Sequence, residues 1–321
     1  MAALSEQRQT PLIDLRELPP AYLGSVLAEE ASDWRDLDWD FEPSADLVRR
    51  FLNMKALCGY ALPASYSDEA AGYSYCVSDE GKGLIGGLYV ARKYRTEENE
   101  NALITAVLES LWRIPGIRRV EAQLMMLQSP LHRAVPYAEY LRTHARKFLE
   151  APLSHVAELP PRQPVVSIAP WMENRQSDAG RLIAAAYADH IDSEINDQYR
   201  SPGGARRFLA NIVQYPGCGS FFGSASFVAI PEGGQGLCGL SLASIVSEGV
   251  GHITQLCVSP SHRGTGLGYE LLRRSLVALA AHGCRKVTLT VTASNVGAIH
   301  LYQQMGFTNR RDFAAYVWEA R

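Results

Sequence analysis

Apolar positions in the second half of the chain switch repeatedly between the two-residue period of a strand and the 3.6-residue period of a helix. VVSIAPW, residues 165–171, is β-branched and short, so it predicts a strand, whereas GRLIAAAYADH, residues 180–190, repeats its apolar positions at helical spacing. SFVAI and LCGLSLASIV predict two strands divided by the turn PEGGQG at residues 231–236. HITQLCV predicts a further strand, and YELLRRSLVALAAHG a helix that stops at Gly283. KVTLTVT, NVGAIHLYQQM and FAAYVWEA close the series as strand, helix and strand. Strands and helices that alternate in this way predict an α/β fold class, an α+β mixed sheet covered by helices.

The same pattern occurs twice. Ala71–Leu111 aligns without a gap on Gly239–Leu279, placing Val90 on Val258 at an offset of 168 residues. Glu80 then falls on Glu248, Gly83 on Gly251, Leu88 on Leu256 and Arg95 on Arg263. One residue of slippage later, GIRRV at Gly116 falls on GCRKV at Gly283, and RRFL occurs at Arg49 and again at Arg206. Ordered matches within a shared element pattern are the signature of an internal repeat. The Pro-rich stretch ELPPRQP at residues 158–164 is the natural linker, so the expectation is two tandem modules, 1–160 and 161–321.

Composition narrows the function classes. With 47% hydrophobic and 20% charged residues over 321 positions, the chain can build a large core. Net charge is -3, from 31 basic against 34 acidic residues, so no overall basic field exists to hold a nucleic acid, and none is expected as a partner. No stretch approaches the roughly 20 apolar residues that span a bilayer, and the first 20 residues lack a signal-peptide run, so no membrane partner and a cytoplasmic location are expected. Six cysteines lie at least 18 residues apart, which gives neither a metal clip nor a dense disulfide framework; no metal is expected.

The strand HITQLCV runs through RGTGLG, Arg263 to Gly268, directly into an apolar helix. Several backbone N–H groups therefore converge at a helix N-terminus, which is an anion cradle. Gly264, Gly266 and Gly268 remove the Cβ atoms that would keep a phosphate away from the backbone. The letters fit neither a Walker loop, which ends in GK[ST], nor a dinucleotide fingerprint, whose third glycine is absent. A second constellation is Asn295-Val-Gly-Ala298-Ile-His-Leu-Tyr302-Gln-Gln-Met-Gly306-Phe307. Asn295 suits an N-cap and Gly306 a C-terminal stop, and spacings of three, four and seven line Asn295, Ala298 and Tyr302 along one helix face.

Together these residues resemble the GCN5-related N-acetyltransferase (GNAT) family, whose [QR]xxGx[GA] loop is matched by Arg263-x-x-Gly266-x-Gly268 and whose NxxAxxxYxxxGF helix is matched by Asn295–Phe307. The resemblance implies two tandem acyl-CoA N-acyltransferase modules and acetyl-CoA as cosubstrate. It implies that Arg263, Gly264, Thr265, Gly266, Leu267 and Gly268 hold the CoA pyrophosphate, and that Leu256, Cys257 and Val258 pair with the pantetheine arm. It further implies a backbone N–H at Cys257 or Val258 that polarises the thioester carbonyl, Asn295 and Ala298 beside the pantetheine, and Tyr302 as the acid that protonates the departing thiolate.

Amine attack on a thioester needs a neutral amine, so a base or a water chain must take its proton. Thr254 and Gln255 stand where many GNAT members carry a glutamate base. The polar stretch His190–Arg200, with Asp189, Asp192, Glu194 and Asp197, is expected over the acceptor, where Glu194, Asp197 or His190 would draw in or deprotonate a cationic amine. His252 is expected to be structural. In the first repeat, Gly264–Gly268 is replaced by Thr96-Glu97-Glu98-Asn99-Glu100, and MMLQSPLHRAVPYAEYL lacks the Asn, Ala and Tyr pattern. Carboxylates repel a pyrophosphate, so the expectation is a degenerate first module and one working site in the second. The reaction expected is acetyl transfer from acetyl-CoA to a primary amine on a small molecule or peptide, by a monomer or homodimer. The alternative is a non-catalytic acyl-CoA-binding or scaffold protein.

Overall fold

The structure, a computed structural model, describes residues 11–65, 67–79, 81–234 and 236–319. The chain forms two compact units: Met1–Asp33, Phe41–Thr143 and Ala314–Arg321 in the first, Trp34–Asp40 and His144–Phe313 in the second.

In unit 1, α1 (Gly24–Arg35) and α2 (Glu42–Asn53) precede β2 (Gly59–Pro63), which follows the short β1 (Ile13–Asp14) in the sheet. β3 (Ala70–Asp79) and β4 (Lys82–Val90) continue it in antiparallel sense, and α3 (Glu97–Trp112) crosses over to β5 (Arg119–Gln123), parallel to β4. The chain then runs through β6 (Leu141–Pro152), whose larger part lies in unit 2. Unit 2 continues with β7 (Val166–Pro170), α4 (Gln176–Ala186), α5 (Ile191–Ile195), α6 (Pro202–Gln214), β8 (Ser220–Phe221) and β9 (Phe227–Pro231). β10 (Gly239–Ser247), β11 (Val250–Val258), α7 (Leu267–Ala281), β12 (Lys286–Thr292), α8 (Val296–Gln304) and the first half of β13 (Thr308–Glu319) complete it, the second half of β13 lying in unit 1. The sheet order of unit 2 is β7-β9-β10-β11-β12-β6, in which β11 and β12 are parallel and the other neighbours antiparallel.

The repeat is visible in the coordinates. β4 and β11 begin and end 168 residues apart, and RRFL lies in α2 and again in α6. Gly83 and Gly251 have a packing reason: a Cβ on Gly83 would come within 2.6 Å of Leu111, and one on Gly251 within 2.7 Å of Leu279. In each repeat the crossover helix therefore rests directly on the strand backbone. Both strands also carry a bulge at the same place, where the pairing with the preceding strand skips Gly86 in one repeat and Thr254 in the other. Glu80, the partner expected for Glu248, lies outside the described residues.

The compact units do not divide at residue 160. β6 and β13 end their respective repeats at an offset of 167 residues, yet β6 pairs with β12 and residues 315–319 of β13 pair with β5. Each unit thus completes its sheet with the last strand of the other repeat, an exchange that no local pattern of hydrophobic positions encodes. The first repeat also lacks the helix that corresponds to α8. Pro130 and Pro136 interrupt that segment, Ser129 and Tyr137 take positive φ of 45° and 56°, and one 3-10 turn at Ala138–Tyr140 is all that forms before β6.

Candidate active site

Parallel pairing between β11 and β12 covers four residues, from Val250↔Lys286 to Ile253↔Leu289, and then stops. Both strands continue, to Val258 and Thr292, so the edge of β11 from Thr254 onward has no ladder partner on its β12 side. Buried backbone donors and acceptors need partners, and here they face the opening between the two strands. Leu256, Cys257 and Val258 lie on this edge.

The loop after β11 makes a 3-10 turn at Pro260–His262 and enters α7. Gly264 and Gly266 take φ of +77° and +85°, conformations that strain an L side chain. Gly266 is the N-cap of α7 and supplies no capping side chain, so the N–H groups of the first turn keep their donors for a ligand. The residues fit a CoA pyrophosphate: a left-handed loop with its donors uncapped leads into a helix N-terminus. A Cβ on Gly268 would only touch Val258 and Leu301 at 3.6 and 3.9 Å, so at that position space is available and intimacy, not necessity, selects glycine. Arg263 turns its side chain away from such a ligand and donates to the carbonyl of Ala186 at the end of α4, 2.5 Å away. Thr265 likewise folds back on the His262 carbonyl at 2.8 Å. Both side chains shape the loop.

α8 approaches the same opening. Asn295 Oδ1 accepts from the Ala298 N–H at 3.2 Å, the capping role its position suggests, and Gly306 ends the helix at φ +89°. Tyr302 is buried at 8% exposure, with its ring 5.8 Å from that of Phe307. Its hydroxyl makes no hydrogen bond with the described residues. Burial raises its pKa well above the ordinary 10, and the charge of Asp192 adds to the rise, so the phenol stays protonated. Cys257 is buried too, and desolvation pushes its thiol up to about 12, which removes it as a nucleophile and leaves its backbone for use.

At the bulge, Thr254 donates to the Leu242 carbonyl at 3.2 Å. Gln255 is held by two tyrosines that the sequence did not single out. Its Nε2 donates to the Tyr187 hydroxyl at 3.0 Å, its Oε1 accepts from Tyr199 at 3.4 Å, and Tyr187 makes a long bond of 3.5 Å to the Leu256 carbonyl. The two rings stack at 4.6 Å. Desolvation raises both phenols well above 10, so this chain of amide and hydroxyls holds no group that titrates near neutrality. Neither Thr254 nor Gln255 offers a base.

The polar stretch 189–200 divides into parts with different surroundings. Asp192 accepts from Arg146 of β6 at 3.2 Å and from the Thr292 hydroxyl, while Arg146 also donates to Thr290 and Thr292 at 3.2 and 2.9 Å. That carboxylate is spent on a buried pair. His190 caps α5, its Nδ1 accepting from the Asp192 N–H at 3.1 Å, and its Nε2 lies 3.3 Å from Asn295 Nδ2. Glu194 and Asp189 are exposed and Asp197 is half-buried. His252 lies between Trp39 and Phe148 and bonds Thr288 at 2.8 Å; burial pushes it down to about 3, so it is neutral and structural.

The corresponding turn of unit 1 is built differently. Thr96 caps α3 by accepting from Asn99 N–H at 3.2 Å, where Gly266 leaves α7 uncapped. Arg133 enters beside the first turn, paired with buried Glu100 and bonded to Asn101 at 2.7 Å and the Glu97 carbonyl at 3.2 Å.

Residues 184–307 match the model of the acetyltransferase (GNAT) family, a span that holds the split strands, the glycine loop and α8. This segment of the chain is similar to the GNAT family. The mycothiol acetyltransferase of Kineococcus radiotolerans is 29% identical to this chain over 263 residues, 77% of each protein. N-alpha-acetyltransferase MAK3 of Arabidopsis thaliana is 38% identical over 66 residues, which are 21% of this chain and 35% of that protein, so the chain spans about a third of that relative's length. Among solved structures, a GCN5-related N-acetyltransferase from Sphaerobacter thermophilus superposes with a TM-score of 0.63 at 16% identity, covering 97% of this chain and 96% of the other. A tandem GNAT protein from the clavulanic acid biosynthesis pathway gives 0.57 at 16% identity, with 83% of both chains covered. At those identities the two structures establish the GNAT fold across both repeats.

Proposed function

We propose that the chain transfers an acetyl group from acetyl-CoA to a primary amine, at one site between β11 and β12 of unit 2. The observation that carries this reading is the conjunction of three features in the family-matched segment: strands that part after Ile253↔Leu289, an uncapped Gly266 at the start of α7, and a Tyr302 hydroxyl without a hydrogen-bond partner among the described residues. Gly264–Gly268 would bind the pyrophosphate, the free edge Leu256–Val258 would pair with the pantetheine arm, and Asn295 and Ala298 would flank it. Acetyl-CoA supplies the activated acyl group.

Charge develops on the thioester oxygen as the amine attacks, and a fixed backbone N–H at Cys257 or Val258 stabilises it, an effect commonly worth about 3 kcal/mol for one donor. Tyr302, protonated throughout the neutral range, is suited to deliver a proton to the leaving thiolate. The carboxylates of Glu194 and Asp197, on the polar stretch 189–200, would draw in the ammonium and accept its proton. Thr96 and the Arg133–Glu100 pair support the reading that the first repeat holds no CoA. The mycothiol acetyltransferase relative favours a small-molecule amine over a protein N-terminus, since that match runs through most of both chains.

The test is release of free CoA thiol from acetyl-CoA across a panel of small amines and N-terminal peptides. Thiol release that depends on a particular amine supports the transferase. Tight acetyl-CoA binding without release on any amine would instead make the chain an acyl-CoA-binding scaffold.

A further inference from the structure

We propose that Arg162, on the linker between β6 and β7, is a phosphate-binding residue of the acyl-CoA site. The inference rests on the reading of Gly264–Gly268 as the pyrophosphate loop and adds to it a side chain from a distant part of the sequence.

The linker residues Pro160, Pro161 and Pro164 restrict the backbone on both sides of Arg162. Its own N–H donates to Glu270 Oε2 at 3.0 Å. Glu270 is fixed in turn: 1% exposed, it accepts two bonds of 2.9 Å from Arg273 and one of 3.0 Å from Arg274. The main chain at Arg162 is therefore pinned to the first turn of α7. From there the side chain lies against Gly266. A Cβ built on that glycine would stand 2.9 Å from Arg162 Cδ and 3.5 Å from a guanidinium nitrogen. The guanidinium carbon is 4.7 Å from the centre of the Tyr269 ring.

Arg273 and Arg274 spend their charges on Glu270, whereas the guanidinium of Arg162 makes no hydrogen bond or ion pair with the described residues. A cation held on a stiff segment beside uncapped N–H donors adds the component that a loop of backbone dipoles lacks, a full positive charge able to grip phosphate oxygens bidentately. The stacking on Tyr269 restricts the side chain in advance of binding, which lowers the ordering cost when the anion arrives.

The experiment is equilibrium titration of the full chain with CoA, dephospho-CoA and S-acetylpantetheine, using wild type, Arg162→Gln and Arg162→Lys. Arg162→Gln should weaken CoA about tenfold, a loss typical of one charge-assisted contact, and flatten the dependence of affinity on salt. Arg162→Lys should restore part of the affinity. S-acetylpantetheine, which carries neither the pyrophosphate nor the 3′-phosphate, should bind all three proteins alike. An equal loss for dephospho-CoA assigns the contact to the pyrophosphate, and a loss confined to CoA assigns it to the 3′-phosphate. The proposal is overturned if Arg162→Gln binds CoA as well as or better than wild type, or if S-acetylpantetheine loses as much as CoA. A wild-type chain that does not bind CoA at all overturns the loop assignment, and this inference with it.

Discussion

The carboxylate of Asp192 lies 3.2 Å from the guanidinium of Arg146, and the two side chains are almost wholly removed from solvent. This pair joins α5, in the polar stretch over the proposed acceptor site, to β6, a strand that ends the first repeat in sequence and lies within unit 2. Removing one partner leaves the other buried and uncompensated. Asp192→Asn should therefore cost stability, on the order of 3 kcal/mol, in urea unfolding. If Asp192 instead served mainly to attract the amine, the variant would keep its stability and raise KM for the acceptor.

Glu194 and Asp197 are expected to act on the amine. Glu194→Gln and Asp197→Asn should raise KM for a cationic amine and reduce its salt sensitivity, with KM for acetyl-CoA unchanged. Steady-state kinetics at two ionic strengths check this. Unaltered amine kinetics in both variants would make the stretch a solvated surface.

Tyr302→Phe keeps the ring packing against Phe307 and removes a hydroxyl with no hydrogen-bond partner among the described residues. Thermal stability and acetyl-CoA affinity should be retained, while kcat falls about 100-fold for want of the general acid. Full kcat in this variant would remove Tyr302 from the mechanism.

His252 sets a pH dependence of stability. Burial holds it at about 3 in the folded chain against an ordinary 6.5. Below 6.5 the unfolded chain gains a proton that the folded chain refuses, so the stabilisation present above that pH is lost progressively as pH falls toward 3, with a slope approaching about 1.4 kcal/mol per unit. His252→Gln should be less stable at pH 7.5 and show a flatter decline between pH 6 and 4. Parallel curves for the two proteins would show that His252 takes up its proton while folded.

Much of this architecture was legible because the repeat and the periodicity agree. KVTLTVT forms β12 with no residue added or lost, Asn295 caps α8, and the Gly83 and Gly251 matches prove to be close helix–strand contacts. Recognition of the family from RGTGLG and Asn295–Phe307 agrees with the model match over 184–307. What escaped the sequence depends on tertiary contact. Tyr187 reads as one more apolar position in a helix until Gln255 is beside it, and Arg146 sits in an ordinary alternating strand until β12 pairs with it. Asp192, grouped with Glu194 and Asp197 by proximity along the chain, meets Arg146 only through the fold. The strand exchange between repeats leaves no local signature either, since β6 and β13 keep the same pattern whichever sheet receives them.

The central claim, a single acyl-CoA site built on the uncapped N-terminus of α7, is tested most directly by calorimetric titration of acetyl-CoA into the full chain and into Gly266→Glu. That substitution places at Gly266 the residue that the first repeat carries at Glu98, on a backbone with φ of +85°. The account predicts one site per chain in the wild type, none measurable in Gly266→Glu, and one unchanged site in Glu98→Gly. Two equivalent sites in the wild type, or one site that survives Gly266→Glu, would contradict it.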